Sequence, residues 1–342
     1  MRPFVIWSLV AEQPMLSSKI KSGGWFLVKA AVSFAFLFYA TRKIDLTSFT
    51  QDVRALNLWW LFLGLVQLLL IPILGGARWR LVLNTLGSSM SPLSSTRLFW
   101  IGMICSQFLP SSSGGDAIRV VLAWRDGVPF ARSAHSVILE RLAMLFTLVV
   151  LVAFMQLLAG YRMNVPAAAW LGPFLLCGAA TGMLLVTFGD GLVGRLPSWK
   201  ALRALSQLSL DARKIFLSPS SARLAGLCVV THLNIAIACL WLGRSIGLHL
   251  SILDYVFYVS LTTLITSLPL SIGGWGIREG ALVALLGNAG VLAHSALAFS
   301  VLFGLSVGAV SLSGLPFVSF KKARQLVAAK PHQIHEIAAV KN

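Results

Sequence analysis

LPSSSGGDAIR at residues 109–119 and LPLSIGGWGIR at residues 268–278 are identical at seven of eleven positions, at an offset of 159 residues. Leucine, serine and glycine are common in this chain, but a proline, two adjacent glycines and an arginine in fixed register indicate an internal repeat. Proline ends a helix because it lacks an N–H group and clashes with the preceding turn, and a glycine pair allows a sharp backbone reversal. Each copy therefore predicts a broken helix, with a new half-helix beginning at Asp116 or Trp275 and an arginine in or near its first turn.

The composition around the repeat is that of a membrane protein. Hydrophobic residues make up 57% of the 342 residues and charged residues only 11%, whereas a soluble domain has about a quarter charged residues. The net charge of +17 would suit nucleic acid if the basic residues shared one soluble face, but they fall mostly between apolar runs, so we expect no nucleic-acid partner. The runs lie at about 25–41, 57–76, 96–110, 134–160, 168–188, 222–244, 253–270 and 293–316. Most reach the ~20 residues that cross a ~30 Å hydrocarbon core.

The predicted fold is all-α: a polytopic integral membrane protein with about eight full transmembrane helices and two short glycine-led segments, at 114–124 and 274–287. If each short segment belongs to a crossing, there are ten crossings, and nineteen basic residues lie inside against five outside, as the positive-inside rule expects. The two motifs are then five crossings apart and point in opposite directions, which makes the repeat an inverted one. If the segments are instead re-entrant hairpins, eight crossings remain and the basic balance worsens, so we prefer ten.

This topology divides the chain into one membrane domain and two terminal segments. We predict a cytosolic amino-terminal segment at 1–24, a single transmembrane domain at 25–318 and a basic cytosolic tail at 319–342. The repeat halves lie at about 57–160 and 222–316. The polar loop at 189–221 has the leucine spacing of an amphipathic helix on the membrane surface.

The start of each half-helix is the candidate functional site. Free N–H groups and the positive end of a helix dipole would lie there at membrane depth, and with a guanidinium they suit an anion, most naturally a phosphate. The alternative is that the glycines only allow tight helix packing and the arginines extend to the surface; two copies in register favour the site. The candidate substrate-binding residues are Gly114, Gly115, Asp116, Arg119, Glu140, Arg141, Gly273, Gly274, Arg278 and Glu279.

Charged residues inside apolar runs need partners, because an ionisable side chain at membrane depth costs several kcal/mol unless it pairs or lines a wet cavity. The candidate pairs are Arg119 with Glu140, and Arg278 with Asp116 or Glu279. For Glu140 and Arg141 the competing interpretation is interfacial pairing at the end of a span. Arg78-Trp79-Arg80 follows the second apolar run, and we interpret it as an interfacial anchor for anionic headgroups.

The motifs of several enzyme classes are missing from the sequence. It has no Gly-x-x-x-x-Gly-Lys-[Ser/Thr] loop, no Gly-x-Ser-x-Gly elbow and no His-Glu-x-x-His spacing. Its four cysteines lie in apolar segments without a Cys-x-x-Cys spacing, which is typical of small helix residues. We therefore expect no cofactor, no metal site and no enzyme activity.

Four stretches carry a family resemblance. They are Gly76-Ala77-Arg78-Trp79-Arg80, Gln107-Phe108-Leu109-Pro110 followed by Gly114-Gly115-Asp116, Glu140-Arg141, and Leu268-Pro269 through Gly273-Gly274-Trp275-Gly276-Ile277-Arg278-Glu279. Over roughly residues 25 to 318 the chain resembles the lysylphosphatidylglycerol synthase transmembrane-domain family, also called flippase-like membrane proteins. The resemblance implies a bacterial inner-membrane location and a role in moving lipid between leaflets.

The family also leaves the cargo open. In the multiple peptide resistance factors this membrane domain precedes a soluble aminoacyl-transferase domain. Here the chain ends about 25 residues past the last predicted span, so we expect no such domain. Stand-alone relatives are associated with hopanoid, glycolipid or polyprenyl-linked pathways.

Three functions remain open at this point. The first is translocation of a phosphate-bearing or otherwise anionic membrane lipid, whose headgroup Arg119 and Arg278 would hold near the midplane while the two repeats expose it alternately. The second is a non-transporting partner subunit that holds a lipid or glycolipid biosynthetic enzyme at the membrane through the loop at 189–221 or the tail. The third is a membrane-embedded transferase with Glu140 or Glu279 as general base. We rank them in this order, because no nucleophile or metal constellation is visible for the third.

Overall fold

The computed structural model describes residues 56–108, 114–158, 170–193, 200–267 and 275–318. Within these ranges the regular structure is helical, without strands. The helices are α1 (Leu58–Leu68), α2 (Leu70–Thr85), α3 (Pro92–Phe108), α4 (Gly114–Arg125), α5 (Phe130–Leu158), α6 (Leu171–Phe188), α7 (Asp190–Val193), α8 (Lys200–Phe216), α9 (Ser220–Ser245), α10 (Ile252–Ser267), α11 (Ile277–Gly287) and α12 (Ala293–Leu312). A 3₁₀ turn follows at Leu315–Phe317.

Among the described residues, five helical stretches are long and apolar enough to cross a membrane. They are Leu58–Thr85, which combines α1 and α2, Phe130–Leu157, Leu171–Phe188, Ser220–Ser245 and Ala293–Phe317. The helix α10 is apolar but has only 16 residues. These stretches confirm an all-helical, multi-pass membrane fold, while the predicted run at 25–41 lies outside the described residues. The total of eight spans stays a prediction.

The first described span has a break at Leu69. Pro72 lies in the first turn of α2, and its missing N–H leaves the carbonyl of Leu68 without a helical donor. As a result α1 ends at Leu68, and α2 begins one residue later and continues to Thr85. The span therefore extends well past residue 76, where the predicted apolar run ends.

The two helices that follow the glycine motifs are short. The helix α4 has 12 residues and α11 has 11, which at ~1.5 Å per residue gives each a length of about 17 Å, roughly half of a ~30 Å hydrocarbon core. The helix α4 packs against α3 and α5, and α11 packs against α10 and α12. The second helix begins at Ile277 rather than at Trp275, because Gly276 precedes it with a φ of 86°, a left-handed conformation outside the helix.

The polar loop contains the predicted amphipathic helix, α8, but its apolar face packs against the bundle. Ala212 and Ile215 are buried in a cluster with residues of α2, α5 and α9. Neighbouring protein therefore covers much of the apolar face that the sequence analysis assigned to the membrane surface. The side chains of Leu205, Leu210 and Leu217 remain exposed.

Side-chain contacts connect several basic segments, and two of these contacts involve α8. The contacts are Arg132 Nη1 to the Gly87 carbonyl at 3.2 Å, His135 Nδ1 to Asp211 Oδ2 at 2.8 Å, Arg213 Nε to the Thr187 carbonyl at 2.8 Å, and Arg97 Nε to the Phe317 carbonyl at 3.2 Å. They bring together the end of α2, the starts of α3 and α5, the end of α6 and the end of α12. These are the described segments that the charge count assigns to one side, and their cytosolic location stays a prediction.

Candidate functional site

Three buried charged side chains from three helices meet inside the bundle. Arg78 on α2, Arg119 on α4 and Glu140 on α5 are 4%, 2% and 1% exposed. Glu140 Oε1 accepts hydrogen bonds from Arg78 Nε at 3.1 Å and Nη2 at 2.8 Å, and Glu140 Oε2 lies 3.4 Å from both Nη atoms of Arg119. The predicted pair of Arg119 and Glu140 is therefore confirmed, with a second arginine on the same carboxylate.

Asp116 extends this cluster towards the surface. Its Oδ1 accepts from Arg119 Nη1 at 3.1 Å and from Arg141 Nη2 at 2.9 Å. The side chain of Arg141 is 56% exposed, whereas that of Asp116 is 18% exposed. We call the five residues Arg78, Asp116, Arg119, Glu140 and Arg141 the α4 cluster. With three guanidinium groups and two carboxylates in their ordinary ionised forms, it has a net charge of +1.

The depth of Glu140 contradicts the interfacial interpretation for this residue. It lies ten residues after the start of the 29-residue helix α5, which is about 15 Å along the axis. At 1% exposure it contacts neither headgroups nor bulk water. Arg141, the next residue, points to the surface and reaches the buried network through Asp116.

The guanidinium of Arg119 lies close to two aromatic rings. Its guanidinium carbon lies 4.6 Å from the ring centroid of Trp79 and 4.4 Å from that of Phe99, which are favourable cation–π distances. Gly102 makes room for its stem, because a Cβ there would lie 2.7 Å from Arg119 Cγ. A Cβ at Gly115 would lie 2.2 Å from the Gly102 carbonyl, so this motif glycine allows α3 and α4 to pack closely, as the packing interpretation expected.

The interpretation of Arg78-Trp79-Arg80 as an interfacial anchor was wrong for its first two residues. Trp79 is fully buried and Arg78 nearly so, because α2 continues for seven residues past Arg78. Besides Glu140, Arg78 donates from Nη1 to Thr231 Oγ1 on α9. Gly75 and Gly76 were the signal that could have revealed this burial: a Cβ at either would collide with α3.

A second charged cluster lies at the start of α11. Glu279 Oε1 accepts from Arg278 Nε at 3.0 Å and Nη2 at 2.5 Å, and from Ser300 Oγ at 3.2 Å. Glu279 Oε2 accepts from the N–H of Gly276 at 2.6 Å. We call Arg278 and Glu279 the α11 pair. Asp116, the other predicted partner for Arg278, pairs instead with Arg119 and Arg141.

The α11 pair is enclosed by protein on several sides. Glu279 is fully buried, and the side chain of Arg278 is 13% exposed. The Arg278 guanidinium carbon lies 4.4 Å from the Trp275 ring centroid. A Cβ at Gly304 would lie 2.2 Å from Arg278 Nη2, so the absence of a side chain there leaves room for the guanidinium. A carboxylate at the third helical position already binds the free N–H end of α11, as in a capping box.

The structure thus brings the predicted residues into two groups rather than one. One group contains Gly115, Asp116, Arg119, Glu140 and Arg141, and the other contains Arg278 and Glu279. Within the described residues, no predicted site residue belongs to both groups. Gly114 begins α4 and is half-buried. Gly273 and Gly274 lie outside the described residues. Among the residues that the structure describes, there is no group of three His, Cys, Asp or Glu side chains that could hold a metal ion.

These observations define a class: a multi-pass helical membrane protein with buried arginine–carboxylate clusters at the starts of two short helices. Residues 26–314 match the family model described as the lysylphosphatidylglycerol synthase TM region, so the chain belongs to this family. A search of curated proteins finds no match. Family membership indicates a lipid-related function in the membrane.

Proposed function

We propose that the protein moves a phosphate-bearing or otherwise anionic lipid between the leaflets of the bacterial inner membrane, with both of its termini in the cytosol. It does so without catalysing a chemical reaction and without a cofactor. The observation that carries the proposal is the α4 cluster: buried arginines at the start of a half-length helix, with one positive charge in excess. A single phosphodiester would neutralise that excess.

Burial of these charges supports a functional role. Ionisable side chains deep in a membrane protein are costly and mark pathways for polar substrates. The α4 cluster combines a helix N-terminus, two paired guanidinium groups beneath it and an exposed third guanidinium on Arg141. A headgroup would therefore meet the exposed guanidinium of Arg141 first and the buried guanidinium groups of Arg119 and Arg78 further inside.

The positions of the two short helices support an inverted repeat. The helix α4 packs against α3 and α5, and α11 packs against α10 and α12. Each short helix therefore packs against the helix before it and the helix after it, as matching positions in two repeat halves require.

This arrangement supports transfer by alternating exposure. Each half-helix would present its arginine to one leaflet, and the headgroup would pass from one arginine to the other near the midplane while the acyl chains stay in the lipid. In the described conformation both arginines are paired with carboxylates of the protein. A headgroup phosphate would have to replace these carboxylates.

The test is transfer of a fluorescent phosphatidylglycerol between the leaflets of vesicles that contain the purified protein, with external dithionite as the quencher. Arg119→Ala and Arg278→Ala should each slow transfer by about tenfold or more, the scale of one lost charge contact. Arg119→Lys and Arg278→Lys keep the positive charge. Transfer that is faster in these variants than in the alanine variants would show that the charge, and not the fold, was lost. Arg80→Ala is the matched control, because Arg80 lies on α2 and donates to the Met90 carbonyl outside the cluster. Full transfer by both alanine variants, or no transfer by the wild type, would overturn the proposal.

One observation favours the partner-subunit alternative. Leu210 and Lys214 on α8 and Leu217 directly after it are exposed, with the spacing of one helix face. Replacing the three residues by serine leaves both charged clusters untouched. If that variant lost its function in cells but kept full lipid transfer in vesicles, docking of an enzyme would be the better explanation.

The transferase alternative has little structural support. A general base needs a carboxylate that is free to accept a proton. Glu140 accepts from two arginines, and Glu279 accepts from Arg278, Ser300 and a backbone N–H group. Detection of a modified lipid after incubation with the purified protein would revive this alternative.

A further inference from the structure

We propose that Arg78 is a positioning residue, which keeps Glu140 neutralised so that Arg119 can leave this carboxylate and bind the anion of the lipid headgroup. The inference rests on the proposed function and assigns different tasks to the two arginines that share Glu140. Arg78 stays in place as the counter-charge of Glu140, and Arg119 exchanges its contact with Glu140 for a contact with the headgroup.

The geometry around Glu140 separates the two arginines. Arg78 makes the closer contact, with two donors on Oε1 at 2.8 and 3.1 Å. Arg119 makes the longer contact, with both Nη atoms 3.4 Å from Oε2. Because strong charge-assisted hydrogen bonds have lengths of about 2.7–2.9 Å, the Arg119 contact is the weaker one and is the one that a headgroup phosphate can replace.

The remaining contacts of Arg119 suit such an exchange. Its guanidinium carbon lies over the rings of Trp79 and Phe99, and its Nη1 also donates to Asp116, so these contacts keep the guanidinium in position without Glu140. Its Nε is buried and has no hydrogen-bond partner among the described residues. The guanidinium thus has one unused donor, and its longer contact, the one with Glu140, is the contact that a phosphate can replace while the contact with Asp116 stays in place.

Charge counting explains why Arg78 is needed for the exchange. If Arg119 left Glu140 in the absence of Arg78, a buried carboxylate would remain without a counter-charge, which is strongly unfavourable. The α4 cluster without Arg78 would contain two arginines and two carboxylates and would have no excess charge to attract an anion. Glu140 would then hold Arg119 permanently.

Arg78 also donates to Thr231, and this contact can be tested separately. If Arg78 served only to tie α2 to α9, loss of the Thr231 hydroxyl would be the critical change. Thr231→Val removes that hydroxyl and leaves the contact between Arg78 and Glu140 intact. The two roles therefore predict different phenotypes for one substitution.

The experiment is titration calorimetry of the full-length protein in detergent with dihexanoylphosphatidylglycerol, a soluble lipid with one phosphodiester charge, together with the melting temperature of each variant. Arg78→Gln should weaken binding by about tenfold, the scale of one unit charge. Arg78→Gln combined with Glu140→Gln should bind at least as tightly as the wild type, because residue 140 no longer retains Arg119 and the cluster again has a net charge of +1. Glu140→Gln alone should bind more tightly than the wild type. Arg78→Lys and Thr231→Val should bind nearly as the wild type does.

Arg80→Gln is the matched control, since it removes a positive charge two residues along the same helix and should leave binding unchanged. The inference is overturned if Arg78→Gln binds as the wild type does, or if adding Glu140→Gln leaves binding weak in a variant that melts normally. If Arg78→Gln does not fold, Glu140→Gln decides alone: unchanged or weaker binding contradicts the inference. Failure of the proposed function is a separate result, because wild-type protein would then bind the lipid without moving it between leaflets.

Discussion

The guanidinium carbon of Arg119 lies 4.6 Å from the ring centroid of Trp79, and the indole Nε1 of Trp79 donates to Ser136 Oγ at 2.9 Å. The ring is therefore fixed to α5, the helix that also carries Glu140. The ring centroid of Phe99 on α3 lies 4.4 Å from the same guanidinium carbon. As a result, three helices determine where the positive charge of α4 lies.

Trp79→Ala should destabilise the protein by about 3–5 kcal/mol, because it leaves a large cavity and removes one face of the Arg119 site. Trp79→Phe keeps an aromatic face but loses the hydrogen bond to Ser136 and part of the ring volume, so it should cost about 1–3 kcal/mol, less than Trp79→Ala. Thermal unfolding in detergent measures both. Trp59→Ala is the control, since Trp59 is 62% exposed on α1. Equal melting temperatures for the Trp79→Ala and Trp59→Ala variants would refute this account of the ring.

Gly102→Ala should lower both the melting temperature and the rate of lipid transfer. Its Cβ would lie 2.7 Å from Arg119 Cγ and 3.1 Å from the Gly115 carbonyl. The base of the arginine side chain has little freedom to move, because its guanidinium is paired with Asp116 and Glu140. Overpacking of this kind costs about 1–3 kcal/mol. Gly226→Ala is the matched control on α9, where a Cβ meets no atom within 4 Å among the described residues. Identical behaviour of the two variants would show that the contact is unimportant.

Gly304→Ala should slow lipid transfer while leaving the melting temperature almost unchanged. The added Cβ would lie 2.2 Å from Arg278 Nη2, which is the far end of a flexible side chain and can move aside. The guanidinium would then lose its position against Glu279, although the backbone stays in place. Gly308→Ala, one turn further along α12, meets nothing within 4 Å among the described residues and should transfer lipid normally. Normal transfer by the Gly304→Ala variant would argue against a role for Arg278 geometry.

Acid should remove the contribution of Asp211 to stability. Burial alone would raise the pKa of this carboxyl group, but hydrogen bonds with His135 and Lys214 outweigh burial and hold the pKa below its ordinary value. The stabilisation is therefore complete above the ordinary pKa of about 4 and disappears as the pH falls through the lowered value. Melting curves of the wild type and Asp211→Asn should differ at pH 7 and converge in strong acid. A difference that persists there would contradict the assignment.

Much of the framework could be predicted from the sequence. Apolar runs mark spans because a helix needs about 20 apolar residues to cross the hydrocarbon core, and the structure confirms spans at five of these runs. The pairs of Arg119 with Glu140 and of Arg278 with Glu279 were predictable because a buried charge requires a counter-charge. The predicted start of α11, Trp275, was wrong by two residues, because a left-handed backbone conformation at Gly276 has no unique sequence signature.

Arg78 was missed for a physical reason. Its local sequence, a tryptophan flanked by two arginines after an apolar run, is typical of a membrane interface. Only the tertiary structure shows that α2 continues inward against α3, where Glu140 and Thr231 supply the partners. Those partners are 62 and 153 residues away along the chain, and periodicity within one helix does not reveal them.

The break at Leu69 also determines how the first described span meets α9. Gln67 Nε2 donates to Asn234 Oδ1 at 2.8 Å before the break, and Arg78 donates to Thr231 after it. Eleven positions separate the two donors, about 16 Å of helix, whereas three positions, about 5 Å, separate their acceptors. Beyond the break, Val82 of α2 shares a buried cluster with Leu224 and Cys228 of α9, so packing as well as Arg78 keeps the two helices together. One turn of α9 therefore anchors both parts of the span, and a displacement of that turn would carry both parts with it.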